Sequence, residues 1–275
     1  MDLPPSPPEL PEGAEPAPRW PAWYAGVGFL TALIVTLVAV GVIAGITGTS
    51  SDESSATFTI VATLAQSAAF VGTAWLFASL TAPPRLWHFG VRRAPFWPTV
   101  GWATLTIVSF YVLAASYAAA VQPDVDQTVT RDLGADQGTA GLIAAGFMVV
   151  VVAPFAEEFF FRGFFYRALR SRYSVLVAAV IDGLLFGIIH FDFSGADALL
   201  IVPPLALLGF AFCLLYERTG TLFAPIALHS LNNSVAYAAQ VNDGWTVSVV
   251  AGPLMIAACM LMPRLVPRSP VPALR

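Results

Sequence analysis

The chain contains no lysine: its 13 basic residues are all arginines, and charged residues of both signs fill only 11% of 275 positions. Soluble domains usually carry about 25% charge, so this scarcity excludes an ordinary soluble globule. The formal net charge of −4 offers no basic face for nucleic acid. Cysteine is nearly absent. Cys213 and Cys259 sit far apart in apolar runs, which excludes a disulfide framework and a cysteine metal site and leaves two small core hydrophobes. A positive leader is missing too. Residues 1–22 are rich in proline and glutamate with Arg19 as the one basic residue, so a disordered cytoplasmic tail is expected rather than a secretory signal. What the chain has in quantity is apolar surface: 57% hydrophobic residues and a mean hydropathy of +0.74.

That profile predicts an all-α polytopic transmembrane bundle. Apolar stretches of roughly 17–25 residues are long enough to span a bilayer. They occur at 23–46, 58–80 and 97–121, and a fourth begins near Thr139 and runs into an acidic stretch. Further candidates at 174–190, 198–216, 221–240 and 245–261 bring the total to about eight, the fifth being the shortest. With a cytoplasmic N-terminus, Arg19, Arg85, Arg92, Arg93, Arg167, Arg170, Arg172, Arg218, Arg264, Arg268 and Arg275 fall inside, and only Arg131 falls outside. Outer loops would carry Asp52, Glu53, Asp124, Asp126, Asp132, Asp136, Asp192 and Asp243. This asymmetry predicts an even number of spans with both termini cytoplasmic. The expected organisation is a tail at 1–22, N-terminal spans at 23–138, a catalytic core at 139–240 and a last span with its tail at 241–275.

Within the core, 157–172 reads EEFFFRGFFYRALRSR, which sets two adjacent acids and an arginine behind a nearly pure aliphatic run. An ionisable group in hydrocarbon costs roughly 2.5–3.5 kcal/mol on insertion scales, so paired acids there suggest function. A helix simply leaving the membrane would explain that stretch equally well by itself. Depth arithmetic adds weight. From a turn near Arg172–Ser174, Glu157 lies about 22 Å up one helix and His190 about 24 Å up the next. His229 and Asn233 lie about 14 and 20 Å into the seventh span, on one face because they are four apart. An acid, two imidazoles and an amide would therefore share one level.

Glu158 and Arg162 are spaced as a helical ion pair with the acid N-terminal, so Glu158 is expected mainly to hold the helix. Glu157 points about 100° away without such a partner, free to act as a general base. Asp182 is close in depth to Arg162 and is expected to form a structural charge pair with it. Phe155, Phe159, Phe160, Phe161, Phe164, Phe165 and Phe186 are expected to pack the surroundings or meet lipid. Pro154 should kink or restart its helix, and Pro225 should do the same below His229.

Glu157-Glu158-x-x-x-Arg162, Phe186-Gly-Ile-Ile-His190 and His229-Ser-Leu-Asn-Asn233, in that order, resemble the three motifs of the CAAX-protease and bacteriocin-processing (Abi) family of intramembrane proteases. The likeness covers about 141–237. It implies a glutamate-dependent membrane endopeptidase in which Glu157 activates water with help from His190, and His229 and Asn233 stabilise the oxyanion. Glu158, Arg162 and Phe186 would support them, with no cofactor. Two other readings of the same residues stay open: a zinc protease, since a glutamate and two histidines form a known ligand set, and a non-catalytic scaffold or transporter. The implied partners are the bilayer and a peptide or protein substrate in or at it, in a bacterial plasma membrane.

Overall fold

The computed structural model describes residues 18–48, 55–123, 128–191 and 196–266. Residues 1–17 of the tail expected at 1–22, the acids Asp52, Glu53, Asp124, Asp126 and Asp192, and Arg268 and Arg275 lie outside the described residues. Among the described residues the chain is helical throughout, with no strand.

Three long helices open it: α1 (Trp23–Thr47), α2 (Ala56–Ser79) and α3 (Phe96–Val121). A single turn, α4 (Val129–Asp132), precedes a continuous 33-residue span, Gly138–Arg170. This span is α5 (Gly138–Phe147), α6 (Ala153–Phe160) and α7 (Arg167–Arg170), joined by wide π-helical turns at Met148–Val152 and Phe161–Tyr166. Then come α8 (Val175–Ile188), a 3₁₀ segment (Ala196–Ile201), α9 (Val202–Thr219), α10 (Phe223–Gln240) and α11 (Gly244–Leu265).

Six of these helices are long and apolar enough to cross a membrane. The two others that complete the expected eight fall short for different reasons. α8 has only 14 residues, about 21 Å at 1.5 Å per residue, so it stops short of the far side of a hydrocarbon core about 30 Å thick. α10 is 18 residues long but carries His229, Ser230, Asn232, Asn233 and Ser234, which lower its hydropathy. It can afford them because its face is buried in the bundle: Ile226, Leu228, His229, Ser230 and Tyr237 are all buried.

Local chemistry sets the ends. Ser55 and Ser174 cap α2 and α8, their hydroxyls accepting from Phe58 N at 3.2 Å and Val177 N at 3.4 Å. Gly220 ends α9 with φ 65°, the left-handed cap that glycine adopts without strain. Pro154 does not interrupt its helix, which stays right-handed through Val152 and Ala153; it sits where the wide π register gives way to α6. Pro225 does not break α10 as expected. It lies in the first turn, where no backbone donor is missed.

Close packing of α8 on α9 depends on glycine. A Cβ on Gly183 would stand 2.6 Å from Ala206 O and one on Gly187 2.7 Å from Val202 O, both backbone atoms. The small-x-x-x-small spacing thus brings the two backbones together, as at many membrane helix interfaces. Gly28 likewise admits Phe164, whose Cε1 is 2.7 Å from an ideal Cβ, so α1 lies on the phenylalanine cluster.

One face of the bundle gathers the chain's turns. Trp20 packs on Phe89 with ring centroids 5.1 Å apart, and Arg167 stands 5.0 Å over the Trp20 ring. Arg92 donates to Gly220 O, and Tyr216 donates its hydroxyl to Phe89 O at 3.1 Å. Arg93 donates to Pro263 O at 2.7 Å and to Arg264 O, closing the end of α11. Arg170 and Glu217 pair at 3.0 Å. The start of α1 and the end of α11 therefore lie on the same face, which requires an even number of crossings.

Candidate active site

The first acidic motif sits on α6, between the two π turns. Glu158 is fully buried, and its Oε1 accepts from Arg162 Nη1 at 2.8 Å and from His229 Nδ1 at 2.8 Å. Arg162 is fully buried as well. Its Nη2 donates to Gly209 O at 2.9 Å, its Nε lies 3.6 Å from Asp182 Oδ1, and its guanidinium stacks over Phe186 at 4.6 Å and Phe212 at 5.3 Å. Both terminal nitrogens of the cation thus donate hydrogen bonds and its Nε faces the Asp182 carboxylate at ion-pair range, which is what makes a buried arginine tolerable. Gly209 is exposed to it because a Cβ there would lie 3.1 Å from Arg162 Nη2.

His229 is clasped between the two acids. Since an ionised carboxylate only accepts, the contact to Glu158 puts a proton on Nδ1 and turns Nε2 to the other side. There Nε2 stands 3.8 Å from Glu157 Oε2, beyond hydrogen-bond length but within ion-pair range. Glu157 retains 16% side-chain exposure, whereas Glu158 has none. Glu157 stands outside the Glu158–Arg162 pair, as its position on the helix implies, and Glu158 holds His229 as well as Arg162. The α10 helix, distant in sequence, brings an imidazole between them.

His190 lies beyond the last residue of α8. Its Nδ1 donates to Phe186 O at 2.7 Å, the carbonyl being an acceptor only, which leaves Nε2 of the neutral ring as the acceptor. The Phe186 ring separates the two imidazoles, its centroid 5.0 Å from His190 and 5.7 Å from His229. Among the described residues no hydrogen bond or ion pair joins His190 to Glu157. His190 is thus the neighbour of His229 across one phenyl ring. Asn233, one turn above His229, donates Nδ2 to Val149 O at 2.9 Å. Of the expected phenylalanines, Phe155 is 47% exposed and the other six are buried.

Glu157, Glu158, Arg162, Asp182, Phe186 and His229 thus form one connected cluster, with His190 and Asn233 on its borders. The ties of Glu158 to His229, of Arg162 to Gly209 O and of Asn233 to Val149 O had no signal in sequence spacing. Pro154 alone marked the segment to which Asn233 binds. Among the described residues no three His, Cys, Asp or Glu side chains stand as a group able to hold a metal.

Fold and cluster together define a class: an integral membrane helix bundle with carboxylates, an arginine and imidazoles buried in its interior. Comparison with known proteins adds a family likeness. Residues 139–235 match the family described as type II CAAX prenyl endopeptidase Rce1-like, so the relationship read from the three motifs holds over that segment. Two curated bacterial proteins are similar. One is YdiL of Bacillus subtilis (strain 168), named as a candidate membrane peptidase, 32% identical over 34% of this chain and 35% of its own length. The other is an uncharacterized 24.3 kDa protein of Escherichia coli, 29% identical over 47% of this chain and 57% of its own. The chain thus spans about a third of the first relative and somewhat over half of the second. No solved structure matches.

Proposed function

We propose that the protein is an intramembrane endopeptidase that hydrolyses a peptide bond of a membrane-associated substrate with a glutamate-activated water. The observation that carries this is the clasp on His229: Nδ1 at 2.8 Å from Glu158 and Nε2 facing Glu157 at 3.8 Å. One carboxylate orients the ring, and the other stays partly open to solvent. The Rce1-like match over 139–235 supplies the reaction class.

In this scheme Glu157 takes a proton from water as the oxygen attacks the scissile carbonyl, then returns it to the leaving amine as the C–N bond breaks. His190, with Nε2 as an acceptor, helps to hold the water. His229 in its doubly protonated form, with Nδ1–H on Glu158 and Nε2–H turned to the oxyanion, and an N–H of Asn233 stabilise the negative charge. Such donors are worth about 10²–10³ in rate each, and a positioned base about 10²–10⁴. Glu158 and Arg162 hold His229, and Phe186 packs both imidazoles. The amide of Asn233, a hydrogen-bond donor rather than a usual zinc ligand, favours chemistry without a metal. The bacterial relatives support a bacterial plasma membrane as its place.

The test is Glu157→Gln in cells, at matched level and insertion, with mass spectrometry of membrane peptides. Product peptides present with the parent should fall at least 100-fold in the variant. Identical peptide maps would reject proteolysis in favour of a scaffold or transporter. Chelator treatment of the purified parent should leave cleavage unchanged; loss restored by zinc would assign the site to a zinc protease.

A further inference from the structure

Asn233 is held by a carbonyl that its own helix does not serve. Across the wide turn Met148–Val152 the hydrogen-bond register slips to five residues, and Ala153 N–H donates to Met148 O in that register. The next carbonyl is that of Val149, and its donor in the same register is residue 154. That residue is proline, which has no N–H for Val149 or for Val150 four residues back. Asn233 Nδ2 fills the gap from α10 at 2.9 Å. On the other side of the amide, Asn233 Oδ1 accepts from Asn232 Nδ2 at 3.3 Å, and Asn232 Oδ1 accepts from the Tyr111 hydroxyl at 3.4 Å. These contacts decide which end of the amide is which, because an oxygen turned to Val149 O would set lone pair against lone pair. One N–H of Asn233 is left over.

We propose that Pro154 is a positioning residue: by withholding an N–H it reserves the Val149 carbonyl for Asn233, and so aims the remaining N–H of that amide. The proline stands three residues before Glu157, so one local irregularity registers the base on α6 against the donor on α10. A proline in a first helical turn has a plainer role, that of starting the helix. That role predicts nothing at Asn233, and this difference makes the proposal testable. Only its kinetic consequence rests on the proposed proteolysis.

The experiment uses the full chain in detergent micelles with ¹⁵N-labelled asparagine. The Asn233 side-chain resonances are identified by their loss in Asn233→Asp, or in Asn233→Ser if the aspartate does not fold. In the parent, one of the two N–H signals should sit downfield, bonded to the carbonyl. In Pro154→Ala the new backbone N–H takes Val149 O, and that signal should move to the free-amide position. An unmoved signal overturns the proposal. Thermal unfolding gives a second arm. Asn233→Ala should lower Tm by roughly 2–10 °C in the parent, where it orphans the carbonyl, and by less than half as much in Pro154→Ala. Equal losses in the two backgrounds also overturn it.

For activity, peptides lost in Glu157→Gln should fall about tenfold or more in Pro154→Ala, and no further when Asn233→Ala is added. Losses that multiply in the double variant count against the proposal. If the parent yields no product at all, proteolysis fails as the function, while the resonance and Tm arms still decide the role of Pro154.

Discussion

Arg162 answers to two acids with a single guanidinium. Glu158 has the short bond, 2.8 Å to Nη1, while Asp182 sits 3.6 Å from Nε with neither of its oxygens hydrogen-bonded. Removing the cation leaves buried Asp182 uncompensated and Glu158 with His229 alone. Arg162→Met should therefore cost about 3–5 kcal/mol of stability, seen as a large fall in Tm in detergent. Asp182→Asn removes the surplus negative charge and keeps the shape, so it should leave stability within about 1 kcal/mol of the parent, or raise it, with Tm close to or above the parent's. A collapse of Asp182→Asn equal to that of Arg162→Met would mean that Asp182, not Glu158, carries the cation. Sequence spacing exposed the Glu158–Arg162 pair because four residues on a helix are neighbours. It could not expose the Glu158–His229 bond, which spans 71 positions and depends on how α10 is rolled against α6.

At the scale of elements, the site depends on how closely α8 lies on α9. Gly183 stands one residue from Asp182 and three from Phe186, and its ideal Cβ would come within 2.6 Å of Ala206 O and 2.7 Å of Phe210 N. Neither backbone atom can yield alone, so Gly183→Ala must push the helices apart and draw Gly209 O away from Arg162. The expected loss is about 1–3 kcal/mol, together with loss of cleavage. Gly41 on α1 meets nothing within 4 Å of a Cβ, so Gly41→Ala should be neutral or stabilise by a few tenths of a kcal/mol. A parallel pair of Tm measurements tests both. The helices themselves were legible, because long apolar runs bounded by Ser, Gly and Pro leave few alternatives. The two π turns were not. Slipping the hydrogen-bond register by one residue changes no periodicity that a run of valines or phenylalanines could display, and only Pro154 marked the first of them.

For the molecule as a whole, the arginines decide which way the bundle faces. Arg92, Arg93, Arg167 and Arg170 are tied into the face that holds the start of α1 and the end of α11. Arg172 stands exposed in the turn between α7 and α8, on that same face. Asp243 lies exposed between α10 and α11, at the opposite end of the last helix. Basic residues are retained on the cytoplasmic side, each resisting transfer across the membrane, so the arginine face should point inward. Cys213 and Cys259 are buried, which keeps the background low for thiol labelling. In intact cells a membrane-impermeant maleimide should therefore label Asp243→Cys and spare Arg172→Cys until the membrane is opened. Labelling of Arg172→Cys from outside would invert the bundle and put the turns beneath Glu157 on the external side. Labelling of both would break the even crossing number that the ties of Arg93 to the end of α11 require.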